Sequence, residues 1–479
     1  MNSFSAALTN MDVEDNYNKS LFLFRRDLRV CDNSGLIEAS ASSETVVPCF
    51  IFDPRLASQN PHFSLNACQF MIESLRDLTR QVAAERGLLC LFRGRPEAVV
   101  ERLIAEEDLE AVFVNKDYTP FSRTRDAAIA KVCEKGGIAF HSSSDVLLHE
   151  PGEVLKDDGK PYKIFSHFLK KARSIPVRQV DAARVDNLSS YSVASDNLEL
   201  LDELPHLNMR GIMHGGRSRS LETLANLYKF ANYKTEREYP AKSGTTRLSA
   251  HNKFGTCSIR EVYHSVVDKL GAEHQLTVEL FWRDFYSHIA FFFPHIFSGS
   301  FYPKYDALVW NTPARKFDAW CTGHTGFPVV DAGMRELNAT GFMHNRVRMI
   351  VASFLIKDLH IDWRFGERYF AQNLVDYDRT VNNGNWQWCA STGCDAQPYF
   401  RIFNPWLQQR RYDPDCRYIK TWIHELREIA PALLHSPDKL ISAAIPGYPA
   451  PIVDHAIESE RAKKAYRTVQ KVHEELRHD

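Results

Sequence analysis

Four segments of the 479-residue chain place binding and charge-bearing side chains at spacings that suit chemistry. The first runs from Tyr233 through Arg237 to Thr245-Thr246-Arg247-Leu248-Ser249. Pro240 and Gly244 break the chain just before two hydroxyls, a guanidinium and a third hydroxyl. A turn opening a helix with Thr or Ser offers backbone N–H groups and hydroxyls to a phosphate, and the same residues also fit an ordinary N-cap. In the second segment Glu279, Trp282, Arg283 and Tyr286 fall at i, i+3, i+4 and i+7, on one helix face. That mixture suits a cavity wall that stacks a ring and hydrogen-bonds its edge, or a helix half-buried at a domain edge. The third, Gly341 to Met349, puts Asn345 and Met349 on one face with Arg346 within three residues of the latter. The fourth couples Asp376-Tyr377-Asp378 to Asn382-Asn383-Gly384-Asn385-Trp386-Gln387-Trp388. Each of these last two, taken alone, also fits a cap or a turn.

The elements that must hold these segments divide the chain. In residues 20–148, apolar runs at Ser20–Phe24, Val46–Asp53, Leu88–Arg93, Ala111–Asn115 and Ile138–Ser142 alternate with helix-like stretches such as Asn66–Arg86 and Ser122–Lys135. Alternating strands and helices imply an α/β domain with a parallel, Rossmann-like sheet and right-handed crossovers. No Gly-x-Gly-x-x-Gly follows the first strand, so the usual dinucleotide fingerprint is absent. Residues 149–215 read as a connector, Ser-rich and polar from Asp181 to Leu200, with one amphipathic helix near Ile164–Arg173. From 216 to 479 the period becomes helical. Leu221, Leu224, Ala225 and Tyr228 share a face, and Val278–Ala290, Val330–Leu337, His344–Leu359 and Phe365–Leu374 read as helices. An all-α second domain is expected.

Composition excludes several classes. Hydrophobic residues at 44% and charged residues at 25% are globular values, not those of a disordered or fibrous chain. No apolar run approaches the roughly 20 residues of a membrane span, and the first 18 residues lack a signal-like apolar core. Ten cysteines without a Cys-x-x-Cys pair or zinc-ligand spacing point to a soluble intracellular protein with reduced thiols and no metal, in the cytoplasm, nucleoid or nucleus. The net charge of −1 hides an asymmetry. Residues 1–200 carry 24 Lys and Arg against 29 Asp and Glu, and residues 201–479 carry 35 against 31. A polyanion would therefore meet the second half. All eight tryptophans also lie there, between Trp282 and Trp422.

Together the four segments resemble the DNA photolyase/cryptochrome family. The resemblance extends to Phe24-Arg25-Arg26-Asp27-Leu28-Arg29, to Thr325-Gly326-Phe327-Pro328 with the residues through Arg335, and to Tyr399-Phe400-Arg401-Ile402-Phe403-Asn404-Pro405. It covers residues 20–475. Within the family the pattern most resembles class I cyclobutane pyrimidine dimer photolyases, through His344-Asn345-Arg346-Val347-Arg348-Met349. Phe342 and His424 depart from the Trp and Pro usual at their positions.

The resemblance implies FAD folded into the helical domain, and light-dependent repair in which excited reduced FAD passes an electron to a flipped-out dimer. It implies that Tyr233, Thr245, Thr246, Arg247, Leu248 and Ser249 hold the phosphates. Arg348 would pair with Asp376, while Tyr377 and Asp378 fall at the ribose and flavin edge. Asn382 would face flavin N5, where a neutral amide offers donor or acceptor without a titrating charge. Glu279, Asn345 and Asn382 are the implied catalytic groups. Arg237, Glu279, Trp282, Asn345, Arg346, Met349 and Trp388 form the implied DNA and dimer site, and Trp386, Trp363 and Trp310 the electron route to the surface. Trp320, Trp406 and Trp422 read as packing residues. A second, light-harvesting chromophore is implied for the first domain, with folate, deazaflavin, another flavin and an empty site all open. The expected partner is UV-damaged DNA, bound by a monomer. A cryptochrome-type photoreceptor and a (6-4) photoproduct photolyase are the alternatives. The short ending after His455 and the Asn345-Arg346 pair speak against them respectively.

Overall fold

The computed structural model describes residues 16–57, 59–191, 193, 207–312 and 314–475. Five strands, β1 (Tyr17–Phe24), β2 (Ser43–Phe52), β3 (Cys90–Arg93), β4 (Ala111–Asn115) and β5 (Ala139–Ser143), form a wholly parallel sheet in the order β3-β2-β1-β4-β5. Leu21 pairs with Val47 on one side and with Val112 on the other. Successive residues point to opposite faces. Phe22, Phe24 and Phe113 therefore enter one core layer, while Leu21, Leu23, Val112 and Val114 enter the other. Helices α1 (Ser34–Ala41), α2 (Leu65–Ala84), α3 (Pro96–Glu106) and α4 (Pro120–Gly136) supply the crossovers. Strand order reverses between β1 and β4, which opens a crevice at the carboxyl ends of the strands.

The connector is less of a free linker than its composition implies. It contains α5 (Phe165–Ala172), and its residues 187–189 lie along β2 through Val46 N to Asn187 O (3.0 Å) and Ser189 N to Val46 O (2.8 Å). Residues 192 and 194–206, which include the end of the Ser-rich stretch, lie outside the described residues.

Helices α6 (Arg217–Ala225), α7 (Tyr233–Glu236), α8 (Ser249–Phe254), α9 (Ile259–Leu270) and α10 (Gln275–Phe292) open the second domain. Then come α11 (Arg315–Thr322), α12 (Pro328–Thr340), α13 (Asn345–Lys357), α14 (Trp363–Asn373) and α15 (Arg379–Ala390). The domain closes with α16 (Pro405–Tyr412), α17 (Arg417–Trp422), α18 (Pro431–Leu434), α19 (Pro437–Ala443) and α20 (His455–Glu475). The face expected from Leu221 to Tyr228 is interrupted. Asn226 ends α6, its Nδ2 donating to the Glu222 carbonyl at 2.9 Å, and Tyr228 emerges 63% exposed. Helix α13 is the axis of the domain: Val347, Ile350, Val351, Phe354 and Leu355 are buried in a core shared with Val330, Met334 and Trp386.

The two domains are joined by a buried quartet. Arg29 donates to Asp145 at 2.7 Å, and Arg260 on α9 bridges Asp32 at 2.9 Å and Asp145 at 2.8 Å. All four side chains are at most 2% exposed. Buried charges are tolerated only when paired this fully, and removing one partner of such a set costs about 3–5 kcal/mol. No helix of the described residues is long and apolar enough to cross a membrane.

Candidate functional site

The first turn of α13 organises the site. His344 is its N-cap, with Nδ1 accepting from the Arg346 N–H at 3.2 Å. Burial, then the cations Arg348, Arg237, Arg346 and Arg247, push the imidazole down to about 3. The ring is therefore neutral, with its proton on Nε2, and that buried N–H has no protein partner. Asn345 is exposed, and Met349 lies one turn on. Its sulfur receives Asn345 Nδ2 at 3.9 Å and Arg346 Nη1 at 3.8 Å. Arg346 is ion-paired with Glu238 and sits 4.5 Å over the Tyr412 ring. Arg348 donates from Nε to the Met343 carbonyl (2.7 Å) and from Nη2 to Asp376 (3.0 Å). The bond from Val375 N to Gly341 O, 2.8 Å, brings Asp376 alongside.

Two further elements close on that turn. Arg237, just after α7, is ion-paired with Glu279 of α10, and Gln275 Nε2 donates to the same carboxylate at 2.8 Å. Gly244 is buried where a Cβ would stand 2.7–2.9 Å from Glu236, so the turn closes on α7 only with glycine. The hydroxyls beyond it are not spent as a helix cap. Helix α8 starts at Ser249 with Leu248 at its N-cap and no side-chain cap bond. Arg247 and Arg348 both lie 5.5 Å from the Phe342 ring, so Phe342 serves as the platform that joins the turn to α13. Trp282 is partly buried, with one face against Phe165 of α5 (centroids 3.5 Å, 10° between planes) and Tyr286 at 5.5 Å.

Helices α14 and α15 supply the remaining groups, and here expected neighbours separate. Asp378 is the N-cap of α15, accepting from Thr380 N (3.1 Å) and Thr380 Oγ1 (2.7 Å), while its other oxygen pairs with Arg26 of the first domain. Burial alone would raise this carboxyl, but Arg26, Lys253 and Arg283 overcome it and hold it far below the carboxylate range. Tyr377 turns toward the first domain, where it lines a cavity. Asn382 donates from Nδ2 to Glu367 Oε1 at 3.1 Å, and Tyr377 OH donates to the same oxygen at 3.2 Å. Burial raises the Glu367 carboxyl, opposed by these two donors. Glu367 has no counterpart among the residues singled out from sequence. The only sequence signal was an acidic residue on the helix that begins at Trp363.

Trp363 and Trp386 are each 2% exposed, and Trp310 is partly exposed. Helix α14 reaches Trp386 through Gly366, where a Cβ would fall 2.2 Å from the indole Cη2. Phe370 meets Trp386 edge-on at 5.0 Å. Trp320 is 6.3 Å from Trp386, with its Nε1 donating to the Val351 carbonyl at 3.0 Å, in keeping with a packing role. Trp388 is partly buried against the same core.

A separate cavity of about 600 Å³ opens at the carboxyl ends of β1 and β2, between the domains. Arg26, Arg55, Arg125, Lys253 and Arg379 line it against Asp53 and Asp117, with Phe52, Phe121 and Phe254 as aromatic walls. Arg26 Nε and Arg125 Nη2 are buried N–H donors with no protein partner. The set fits a flat, anionic molecule.

Comparison with known proteins decides the family. Residues 20–184 match the DNA photolyase family model, and residues 276–468 match the FAD binding domain of DNA photolyase. The deoxyribodipyrimidine photo-lyase of Synechococcus is 36% identical over 466 residues, covering 93% of this chain and 96% of that protein. The chain belongs to the DNA photolyase family. The deoxyribodipyrimidine photo-lyase of Escherichia coli is 35% identical, with 94% and 99% covered. The structure of an archaeal photolyase from Sulfolobus tokodaii with two FAD molecules superposes with a TM-score of 0.85 at 39% identity, covering 94% of this chain and all of that one. A bacterial class III photolyase from Agrobacterium tumefaciens gives 0.87 at 33%, covering 98% and 100%. A Synechocystis cryptochrome gives 0.86 at 26%, covering 95% and 100%.

The helical domain is thus a photolyase FAD-binding domain, and the expected fold of a parallel-sheet domain followed by an all-α domain is the one observed. Its donor set fits the cofactor. The Thr and Ser hydroxyls, of which Thr246 Oγ1 accepts from Leu248 N at 3.4 Å, and Arg247 suit phosphates, the Arg348–Asp376 pair and the Asn382 amide suit a heterocycle edge, and His344 Nε2–H is a buried donor without a protein partner.

Proposed function

We propose that this photolyase splits cyclobutane pyrimidine dimers in UV-damaged DNA. When bound, reduced FAD supplies the electron that opens the dimer. The protein's own residues bind, orient and exclude water. Trp282 and Trp388 stack on the extruded rings, and Glu279 and Asn345 hydrogen-bond their edges. Arg237 and Arg346 are already paired with Glu279 and Glu238, so they reach a DNA phosphate by sharing or exchanging those partners. Thr245, Thr246, Arg247 and Ser249 hold the cofactor phosphates, with Tyr233 and Leu248 packed behind them, and Asn382 presents its amide to the flavin. Trp386, Trp363 and Trp310 carry the electron that primes the cofactor. The cavity between the domains takes a second chromophore, and its cations favour one that bears phosphate or carboxylate.

The observation that carries the dimer reading is the first turn of α13. Repair of a (6-4) photoproduct is expected to need a proton-active histidine in the substrate pocket. The histidine of this turn, His344, is buried, uses Nδ1 as a cap and is held neutral. Its neighbour at the pocket is Asn345, which does not titrate. Illuminating the protein with a mixture of the two lesions tests this. Cyclobutane dimers are expected to disappear and (6-4) products to persist, whereas loss of the (6-4) product would overturn the assignment.

A further inference from the structure

Glu279 is held by two donors of different kinds. Arg237 spans both carboxylate oxygens, with Nη1 on Oε1 and Nη2 on Oε2 at 3.2 Å. Gln275 adds its Nε2 to Oε1 at 2.8 Å. A carboxylate offers about four lone-pair sites, two on each oxygen. Oε1 is therefore filled, while Oε2 keeps an open acceptor site.

Gln275 reaches Glu279 because the start of α10 is fixed. His274 caps the helix, with Nδ1 accepting from the Leu276 N–H at 3.3 Å. Thr277, fully buried, donates from Oγ1 to the carbonyls of Ala272 (2.9 Å) and His274 (2.8 Å). Gln275 is thus the first residue of the helix and stands at i, i+4 to Glu279, a spacing at which helical side chains meet. The Glu279 side chain is 30% exposed, so its rotamer freedom opposes any single orientation unless donors hold it.

In the free protein Arg237 supplies the charged part of that hold. On DNA, Arg237 shares or exchanges Glu279 for a backbone phosphate, and the carboxylate loses its grip as the lesion's ring arrives. The Gln275 amide is neutral, so a phosphate competes for it far less than for a guanidinium. With Arg237 on phosphate, Gln275 is the one protein donor left to Glu279 among the described residues. We propose that Gln275 is a positioning residue for Glu279: it keeps Oε1 occupied and so directs Oε2 at the edge of the extruded ring. An ionised carboxylate only accepts hydrogen bonds, so the edge it meets presents an N–H, as the imide of a thymine or uracil ring does. The inference rests on the reading that Glu279 hydrogen-bonds the dimer.

The test is a double-mutant cycle on the reduced holoenzyme. It is read as repair quantum yield at saturating thymine-dimer duplex, with affinities for damaged and undamaged duplex measured alongside. Gln275→Leu is expected to lower the yield about threefold, within the worth of one hydrogen bond. Affinity for undamaged DNA should not change, because the pocket is then empty. In a Glu279→Ala background the same substitution is expected to change nothing further. If Gln275→Leu does not retain FAD, Gln275→Asn, a methylene shorter and out of reach of Oε1, takes its place in the cycle. A wild-type yield in the Gln275 variant overturns the proposal. So does an equal loss in the Glu279→Ala background, which would mean that Gln275 does not act through Glu279. An equal loss of affinity for damaged and undamaged duplex also overturns it, by assigning Gln275 to the phosphate contact. Glu279→Ala alone separates the two readings. If it repairs with wild-type yield, Glu279 does not touch the lesion. If it lowers the yield while Gln275→Leu does not, only the positioning fails.

Discussion

Asn382 is held by a carboxylate, and that sharpens what its replacement should do. Asn382→Asp would set a second carboxyl against Glu367, and two carboxylates sharing one buried oxygen contact cannot both ionise freely. With Asn382 at the flavin, as proposed, an ionised Asp there would also oppose negative charge on the cofactor. The variant is expected to bind FAD but fail to accumulate stable reduced flavin under light, which absorption spectroscopy would follow. Unchanged photoreduction would refute the assignment. Glu336 offers a stability test of the same site. Burial lifts its carboxyl to about 7 although Tyr418 OH donates to it at 2.6 Å. A folded-state value above the ordinary 4.5 means the contribution is full below 4.5 and is lost as pH rises through 7. Glu336→Gln removes that loss, so its stability relative to wild type should rise from pH 5 to pH 8 by up to roughly 3 kcal/mol. Parallel unfolding curves at both pH values would contradict the burial argument.

The elements show where sequence patterns suffice and where they do not. The five strands and the helices carrying Glu279 and Asn345 follow from alternation, period and stop signals, because each is decided by local geometry and one buried face. The helix carrying Trp386 is not legible in its Asn- and Gly-rich sequence. The partners are not local. Trp282 is backed by Phe165, 117 residues earlier in the chain, and Tyr377 faces the first domain rather than its neighbour Asp376. Glu367 and His62 are joined only when α14 meets the loop before α2, and neither residue type nor spacing announces that contact. Tryptophan placement was legible, but the packing that orders it was not: Gly366 lets α14 rest on Trp386. With Trp363 and Trp386 buried and Trp310 partly exposed, the indoles run from core toward solvent. Trp310→Phe is expected to slow photoreduction of oxidised flavin several-fold, yet to spare repair when the flavin is chemically reduced beforehand. Loss of repair in that pre-reduced variant would make Trp310 a structural or substrate-binding residue instead.

At the scale of the molecule, the first domain does more than adjoin the second. The quartet of Arg29, Asp32, Asp145 and Arg260 fixes their relative position, Arg26 anchors the cap of α15, and His62 reaches Glu367. The cation-rich cavity of about 600 Å³ lies between the two domains, lined by Arg26, Arg55, Arg125, Lys253 and Arg379. The most direct measurement of the whole account uses purified protein with chemically reduced FAD and a DNA duplex carrying one cyclobutane thymine dimer, illuminated with near-ultraviolet or blue light. The account predicts that two thymines are restored under light and none in the dark, with the yield reduced in Glu279→Ala even at saturating DNA. A fully reduced, DNA-bound protein that restores no thymine under light would contradict it.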